Sequence, residues 1–169
     1  MSQLDHILQR FVVSVDGFGK AGSGEKCSLP KIKKKMESYR GGGMIASRKY
    51  ALGYEEFSFE LELSAVDPQV IKQSAFLIKK DVGFSVRGFL DGDGNAKHTV
   101  YLAMRGEVEE NDFGSWEAGK KTVMKVKVAL QSCKMVMDGE TLFDIDVAND
   151  ALNFAETDIG AVITAALGA

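Results

Sequence analysis

Histidine, cysteine, proline and tryptophan are all scarce in this chain: two, two, two and one among 169 residues. Each shortage removes a class of function. With only His6 and His98, there is little material for general acid–base chemistry or for a histidine-rich metal centre. His98 follows the 91–97 turn, has no carboxylate or cysteine at a useful spacing, and reads as a solvated residue at a strand end. Cys27 and Cys133 form no CxxC pair and no Cys/His spacing, so they read as two small hydrophobes in a reducing compartment. Two prolines against eighteen glycines point to many tight turns and few long helices. No apolar run reaches the ~18–20 residues that a membrane-spanning helix needs. Asp5, His6, Gln9 and Arg10 interrupt any signal-peptide core, so the chain is expected to be made in a cytoplasm and to bypass the general secretory route. Surplus positive charge is also missing. Twenty-one Lys and Arg against 24 Asp and Glu leave a net charge of −3, and general affinity for nucleic acid requires the opposite sign.

What is present is an ordinary core-forming composition, 45% hydrophobic and 27% charged, in a length that suits one domain over 1–169. Period-two alternation dominates. In FSFELELSA (57–65), Phe57, Phe59, Leu61, Leu63 and Ala65 take one side, and Ser58, Glu60, Glu62 and Ser64 the other. TVMKVKVAL (122–130) sets Met124, Val126, Val128 and Leu130 against Lys125 and Lys127; KHTVYLAMRGEV (97–108) puts Val100, Leu102 and Met104 together. Further strands are expected in QRFVVSVDGF near the start, in 82–90 and in the pair within 133–146, where Asp138-Gly139 is a hairpin signal. The glycine-rich 91–95 segment is expected to join the 82–90 and 97–108 strands. One helix is marked, from Asp67 as N-cap and Pro68 at the first position to Lys79-Lys80, with Val70, Ile71, Ser74, Ala75, Leu77 and Ile78 on its periodic positions. The stretch 158–168 reads as a short helix or a frayed tail. The fold expected is mainly β: an antiparallel barrel or sandwich capped by one short helix.

No catalytic set emerges, and no cofactor or metal is expected. DGDGN at 91–95 begins like a calcium loop, but its twelfth position is Leu102 and strands flank it. Gly41–Gly43 lack the Lys-Ser/Thr of a phosphate loop. Glu60 and Glu62 share a wet strand face rather than an acid–base site.

The least ordinary stretch is LPKIKKKMESYRGGGM (29–44). As a strand it sets Lys31, Lys33, Lys35, Glu37 and Tyr39 on one face and Ile32, Lys34 and Met36 on the other; as a helix it gives a Leu29, Ile32, Met36, Tyr39 stripe, and periodicity leaves both open. A solvated edge accounts for the lysines but not for Tyr39, Arg40, Gly41, Gly42, Gly43 and Met44, residue types suited to an interface beside a closely approached backbone. Residues 29–50 are therefore expected to form an extended arm or loop docking on a neighbour.

LPKIKKKMESYRGGGM, then LGYE (52–55), MRGEVEE (104–110), Trp-x-Ala-Gly-Lys (116–120) and MDGETLFDID (137–146) resemble, in that order, the tail tube proteins of P2-like contractile-tailed phages and of R-type bacteriocins. The resemblance spans roughly 25–150. It implies a non-enzymatic structural subunit whose hexameric rings stack into a hollow tube inside a contractile sheath, conducting DNA in a phage or ions in a bacteriocin. It implies sheath, baseplate and tail terminator proteins as partners, DNA only in transit, and no membrane anchor. A tube of type VI secretion kind is the alternative within the fold; a nucleic-acid-binding module using 26–40 is the alternative in another class. The family's long loop between early strands matches about 40–55 here, with a C-terminal segment at about 150–169. Inter-subunit or inter-ring contacts are expected from Lys31, Lys33, Lys34, Lys35, Glu37, Tyr39, Arg40, Gly41, Gly42, Gly43 and Met44, with Glu107, Glu109, Glu110 and Asp112 as possible acidic counterparts. Since a lysine-lined channel would retain DNA, the basic run is expected to face protein rather than the lumen. The chain departs from the family at its end: ETDIGAVITAALGA is apolar where relatives often carry a basic stretch.

Overall fold

The computed structural model describes residues 6–16, 18–19, 24–74, 78–92, 97–154, 157–158, 162 and 165–168. In chain order these form β1 (His6–Val15), β2 (Phe18–Gly19), β3 (Gly24–Ser28), β4 (Lys34–Tyr39), β5 (Arg48–Tyr54), β6 (Ser58–Leu63), α1 (Pro68–Ser74), β7 (Val82–Gly92), β8 (Lys97–Asp112), β9 (Met124–Met137), β10 (Glu140–Asp146), β11 (Ala151–Phe154) and β12 (Thr157–Asp158). Ten strands make one antiparallel sheet; β4 and β5 make a separate two-stranded ribbon.

Alternation places the core. Phe59, Leu61 and Leu63 of β6 and Met124, Val126 and Val128 of β9 are fully buried, while Glu60 and Lys125 stay exposed. On the far side of the same core stand Val13 and Val15 of β1, Phe84 of β7 and Met104 of β8. Phe59 meets Phe84 with ring centroids 5.9 Å apart, which ties the two halves of the sheet together.

The sheet folds over because β8 and β9 run through both halves. The first half of β9 pairs with β6, its second half with β10, and β8 accompanies it throughout. TVMKVKVAL and the strand beginning at Cys133 are thus one strand of 14 residues, not two. The alternation breaks because Gln131 is an extra residue: Gly106 pairs with Leu130, but Arg105 pairs with Ser132. That bulge shifts the phase so that Leu130 and then Cys133 both face inward. Gly106 sits at the bend, where a Cβ would lie 2.2 Å from the Ala129 carbonyl oxygen. β8 likewise extends past Val108 to Asp112, through a second bulge between Val108 and Glu110.

The Asp138-Gly139 turn has φ of +50° and +82°, the two left-handed positions of a two-residue hairpin between β9 and β10. The link between β7 and β8 includes residues outside the described ones, but the two strands pair from Val82–Gly106 to Asp91–Lys97. Asp67 caps α1, its Oδ1 accepting from the Gln69 N–H at 2.9 Å and the Val70 N–H at 3.4 Å. α1 is described over Pro68–Ser74; residues 75–77, Ala75 and Leu77 among them, lie outside the described residues, and 78–80 are not helical, so the helix does not reach the expected Lys79-Lys80. In the 158–168 stretch, Asp158 pairs with β11 together with Thr157, Val162 and residues 165–167 are helical and Gly168 is in a turn, the others lying outside the described residues.

Candidate assembly interface

β4 and β5 leave the body as a hairpin arm with neither face covered. All six residues of β4 and all but the last of β5 are exposed. A lone two-stranded ribbon is marginal in water. This one is held mainly by its own ladder, from Lys34–Tyr54 to Tyr39–Arg48. Its base is pinned where the Glu55 N–H donates to the Lys33 carbonyl at 2.8 Å and Lys33 Nζ stands 3.2 Å from Glu55 Oε1. Tyr54 is half-buried against the core, which anchors the arm to the body.

The arm bends once. Lys34 pairs with Tyr54, and Met36 with Ala51, so β5 carries one extra residue. Gly53 has φ +108° there, a conformation an L side chain rarely adopts. Beyond the bulge, Glu37 and Tyr39 share a face with Arg48 and Tyr50. The Tyr39 and Tyr50 rings lie 6.5 Å apart, and the Arg48 guanidinium sits 5.2 Å over the Tyr50 ring. At the tip the Met44 N–H donates to the Gly41 carbonyl at 3.2 Å, and Arg40 Nε donates to the Met44 carbonyl at 3.3 Å. Gly43 has φ +93°; Gly42 has open space around it. Ile45 is 98% exposed.

The residues anticipated from 29–44 are thus spread along the arm rather than gathered in a cluster. Lys31 and Lys33 precede β4; Lys34, Lys35, Glu37 and Tyr39 lie on it; Arg40, Gly41, Gly42, Gly43 and Met44 form the tip. The stretch about 40–55, expected to be a loop, contains the seven residues of β5, because they have β4 to pair with. Exposed residues beside those anticipated are Ile45, at the tip, and Arg48, Tyr50 and Leu52 on the returning strand, whose exposed Tyr-x-Leu alternation was the available signal.

The acidic residues named as counterparts lie elsewhere, exposed on β8. Across β6, β9 and β8, Glu60–Lys127–Glu110 and Glu62–Lys125–Asp112 form two rows of opposite charge on one outer face. Lys125 Nζ is 3.7 Å from Glu62, and Lys127 Nζ is 3.9 Å from Glu109. These pairs are solvated, each worth under ~1 kcal/mol.

His98 differs from its sequence reading. Asp138 Oδ2 lies 2.5 Å from its Nδ1, and Asp138 Oδ1 accepts from the Thr99 N–H at 2.9 Å. Strand pairing, not sequence spacing, creates this contact over forty residues. The hydrogen bond to His98 and that to Thr99 hold the Asp138 carboxyl below its ordinary range. His6 stacks near His98, with ring centroids 4.9 Å apart. Burial pushes the Cys133 thiol up to about 12 and raises that of Cys27, so neither favours its thiolate. Among the described residues no group of three or more His, Cys, Asp or Glu is placed to hold a metal, and no helix is long and apolar enough to cross a membrane.

The sequence family described as phage tail tube protein FII matches residues 5–168. The tail tube protein of Escherichia phage P2 is 30% identical over 141 residues, covering 81% of this chain and 82% of that protein. The major tail tube protein of Serratia phage KSP20 is 25% identical over 145 residues, covering 84% and 83%. Among solved structures, the fold is similar to a chain of the six-fold symmetrised anti-feeding prophage baseplate, at a TM-score of 0.57 and 15% identity over 80% of this chain and 97% of that one. It is also similar to a chain of an extracellular contractile injection system sheath–tube complex in the extended state, at 0.56 and 13% over 76% and 88%. The chain therefore belongs to the phage tail tube protein FII family: it is a structural subunit of a tail tube and a component of the virion.

Proposed function

We propose that this subunit closes six-membered rings, the symmetry of the baseplate that contains a similar chain, and that the β4–β5 arm bridges each ring to the next. The carrying observation is the arm itself: a ribbon uncovered on both faces, with an apolar tip, on a subunit whose family builds tubes. Heterologous contacts around an axis close a ring, and the same kind of contact along the axis repeats without closure. Residues 1–169 act as one tail tube domain, with about 150–169 as a C-terminal segment. The subunit has no catalytic role. It works inside a contractile sheath, capped by a terminator and seated on a baseplate, the assemblies in which similarly folded chains occur.

Lys31, Lys33, Lys34, Lys35, Glu37, Tyr39, Arg40, Gly41–Gly43 and Met44 supply arm contacts to neighbouring copies. The lysines face protein rather than the lumen; Lys33 already has Glu55 as its counter-charge. DNA passes without being gripped, because retention would require uncompensated cations along the wall. The test is assembly of the full chain. Negative-stain microscopy of the purified protein should show rings and tubes, and a variant whose residues 36–51 are replaced by a short Gly-Ser link should keep its fold and lose the tubes. Tubes of ordinary length from that variant would sink the proposal.

A further inference from the structure

At the foot of the arm lies an apolar groove of about 710 Å³. Phe57, Leu130 and Ile145, all nearly buried, make its floor, and Val147 and Leu152 stand at its side. Its charged lining is of one sign: Glu55, Glu56, Asp146 and Asp150 border it, and no lysine or arginine does. Glu55 is answered by Lys33, and Asp146 is engaged by the backbone N–H groups of Ala148 and Asn149. Among the described residues, Glu56 and Asp150 have no cationic partner.

The tip of the arm is the complement of this groove. Ile45 projects almost wholly into solvent beside Met44. Arg40, Arg48 and Lys49 flank them in the sequence, and no acidic residue occurs between Ser38 and Tyr54. The two features cannot meet within one copy. The groove begins at Gly53, the base of the arm, whereas the tip stands at the far end of a seven-residue strand, about 20 Å away.

We infer that the Met44–Ile45 tip of one copy seats in the Phe57–Leu130–Ile145 groove of another, with Arg48 and Lys49 set against Glu56 and Asp150. The occupant of the groove is a second copy of this chain. Tip and groove are different patches, so the contact is heterologous and each copy offers both halves; repeated from ring to ring it gives an open stack of defined register. Apolar burial at the centre supplies the affinity, and the rim charges select the partner patch. The inference rests on the bridging role proposed for the arm and names where the arm ends.

Charge exchange on the full-length chain tests it. One variant carries Arg48→Glu with Lys49→Gln; another carries Glu56→Lys with Asp150→Asn, asparagine being chosen because it tolerates the φ of +52° at that position. Each should raise the protein concentration needed for tube assembly by about tenfold or more, a step worth about 1.4 kcal/mol, with the monomer's melting curve unchanged. The chain carrying all four changes keeps the net charge of −3 and should recover most of the assembly. If the tip variant fails and the four-fold variant does not recover, the groove is not the seat, although the arm still bridges rings. Normal assembly by the groove variant likewise removes the groove. Normal assembly by the tip variant removes both this contact and the arm's bridging role. One further occupant is the chain's own end, since Leu167 lies at the groove. In a Cys27→Ser background, a Val147→Cys, Leu167→Cys chain that closes its disulfide internally within assembled tubes would overturn the inference; intermolecular ladders from Ile45→Cys, Val147→Cys tubes would support it.

Discussion

β4 and β6 are both six-residue strands, and they occupy opposite extremes of the molecule. In SFELEL every second side chain is sealed in the core; in KKMESY none is. β6 lies between β3 and β9, and its ladder is reinforced by apolar contacts on one face. β4 has one neighbour, β5, and no layer beneath it. Fold stability is therefore concentrated in the first region, and uncovered surface, proposed above to serve assembly, in the second. A substitution in β6 should unfold the monomer before it disturbs a ring. A substitution in β4, β5 or the tip should disturb stacking while the monomer melts as before.

The largest effect is expected at Phe59. Its ring is fully buried and packed on Phe84. Phe59→Ala should lower monomer stability by about 3–5 kcal/mol, read from denaturant unfolding at unchanged m-value. A loss near the size of a surface substitution would mean that the two halves of the sheet do not share one core, and the contrast with the arm would collapse.

Gly106 comes next. The clash a methyl group would make there is with backbone, the Ala129 carbonyl oxygen and the Leu130 Cα, so no side-chain rotation relieves it. Gly106→Ala should cost about 1–3 kcal/mol by the same measurement. A neutral result would show that the bend of β8 and β9 opens readily and that the Gln131 bulge is not a fixed corner.

This contrast also explains how much of the molecule could be read from the residues. FSFELELSA was legible because one partner face, the core, imposes a strict period of two. The hairpin at Asp138-Gly139 was legible because two consecutive left-handed positions demand those residue types. The continuity of β9 was hidden because a bulge at Gln131 resets the phase, and a bulge leaves no composition signal of its own. The His98–Asp138 contact was hidden because strand register, not spacing, makes it. The order of motifs pointed to the right family, and at the arm the residues pointed to an extended segment but not to a second strand. With no face buried in its own chain, β5 has only the short, exposed Tyr-x-Leu alternation and no core to extend it. The groove was out of reach altogether, since its floor joins Phe57, Leu130 and Ile145 from three separate stretches.

The smallest monomer effect, and the sharpest separation of the two regions, is expected within Gly41–Gly43. The three glycines are not equivalent. Only Gly43 has a positive φ, +93°, whereas a Cβ on Gly42 would touch nothing within 4 Å and one on Gly41 would only graze the Tyr39 ring at 3.4 Å. Gly43→Ala strains the turn, but the strain has an outlet: the uncovered tip can open without uncovering any core residue. Monomer stability should therefore shift by less than ~0.5 kcal/mol, as for a surface change, while tube assembly falls because the tip no longer presents Met44 and Ile45 in one shape. Gly42→Ala should leave the monomer unchanged, so its assembly reports directly on the space around the tip in the stack. Assembly that survives Gly42→Ala but not Gly43→Ala assigns the requirement to backbone conformation. Equal loss from both would mean that a neighbouring copy closes on Gly42 from outside. A Gly43→Ala monomer destabilised as much as Gly106→Ala would show that tip and core unfold together, and the division between a stabilising body and an assembling arm would not hold.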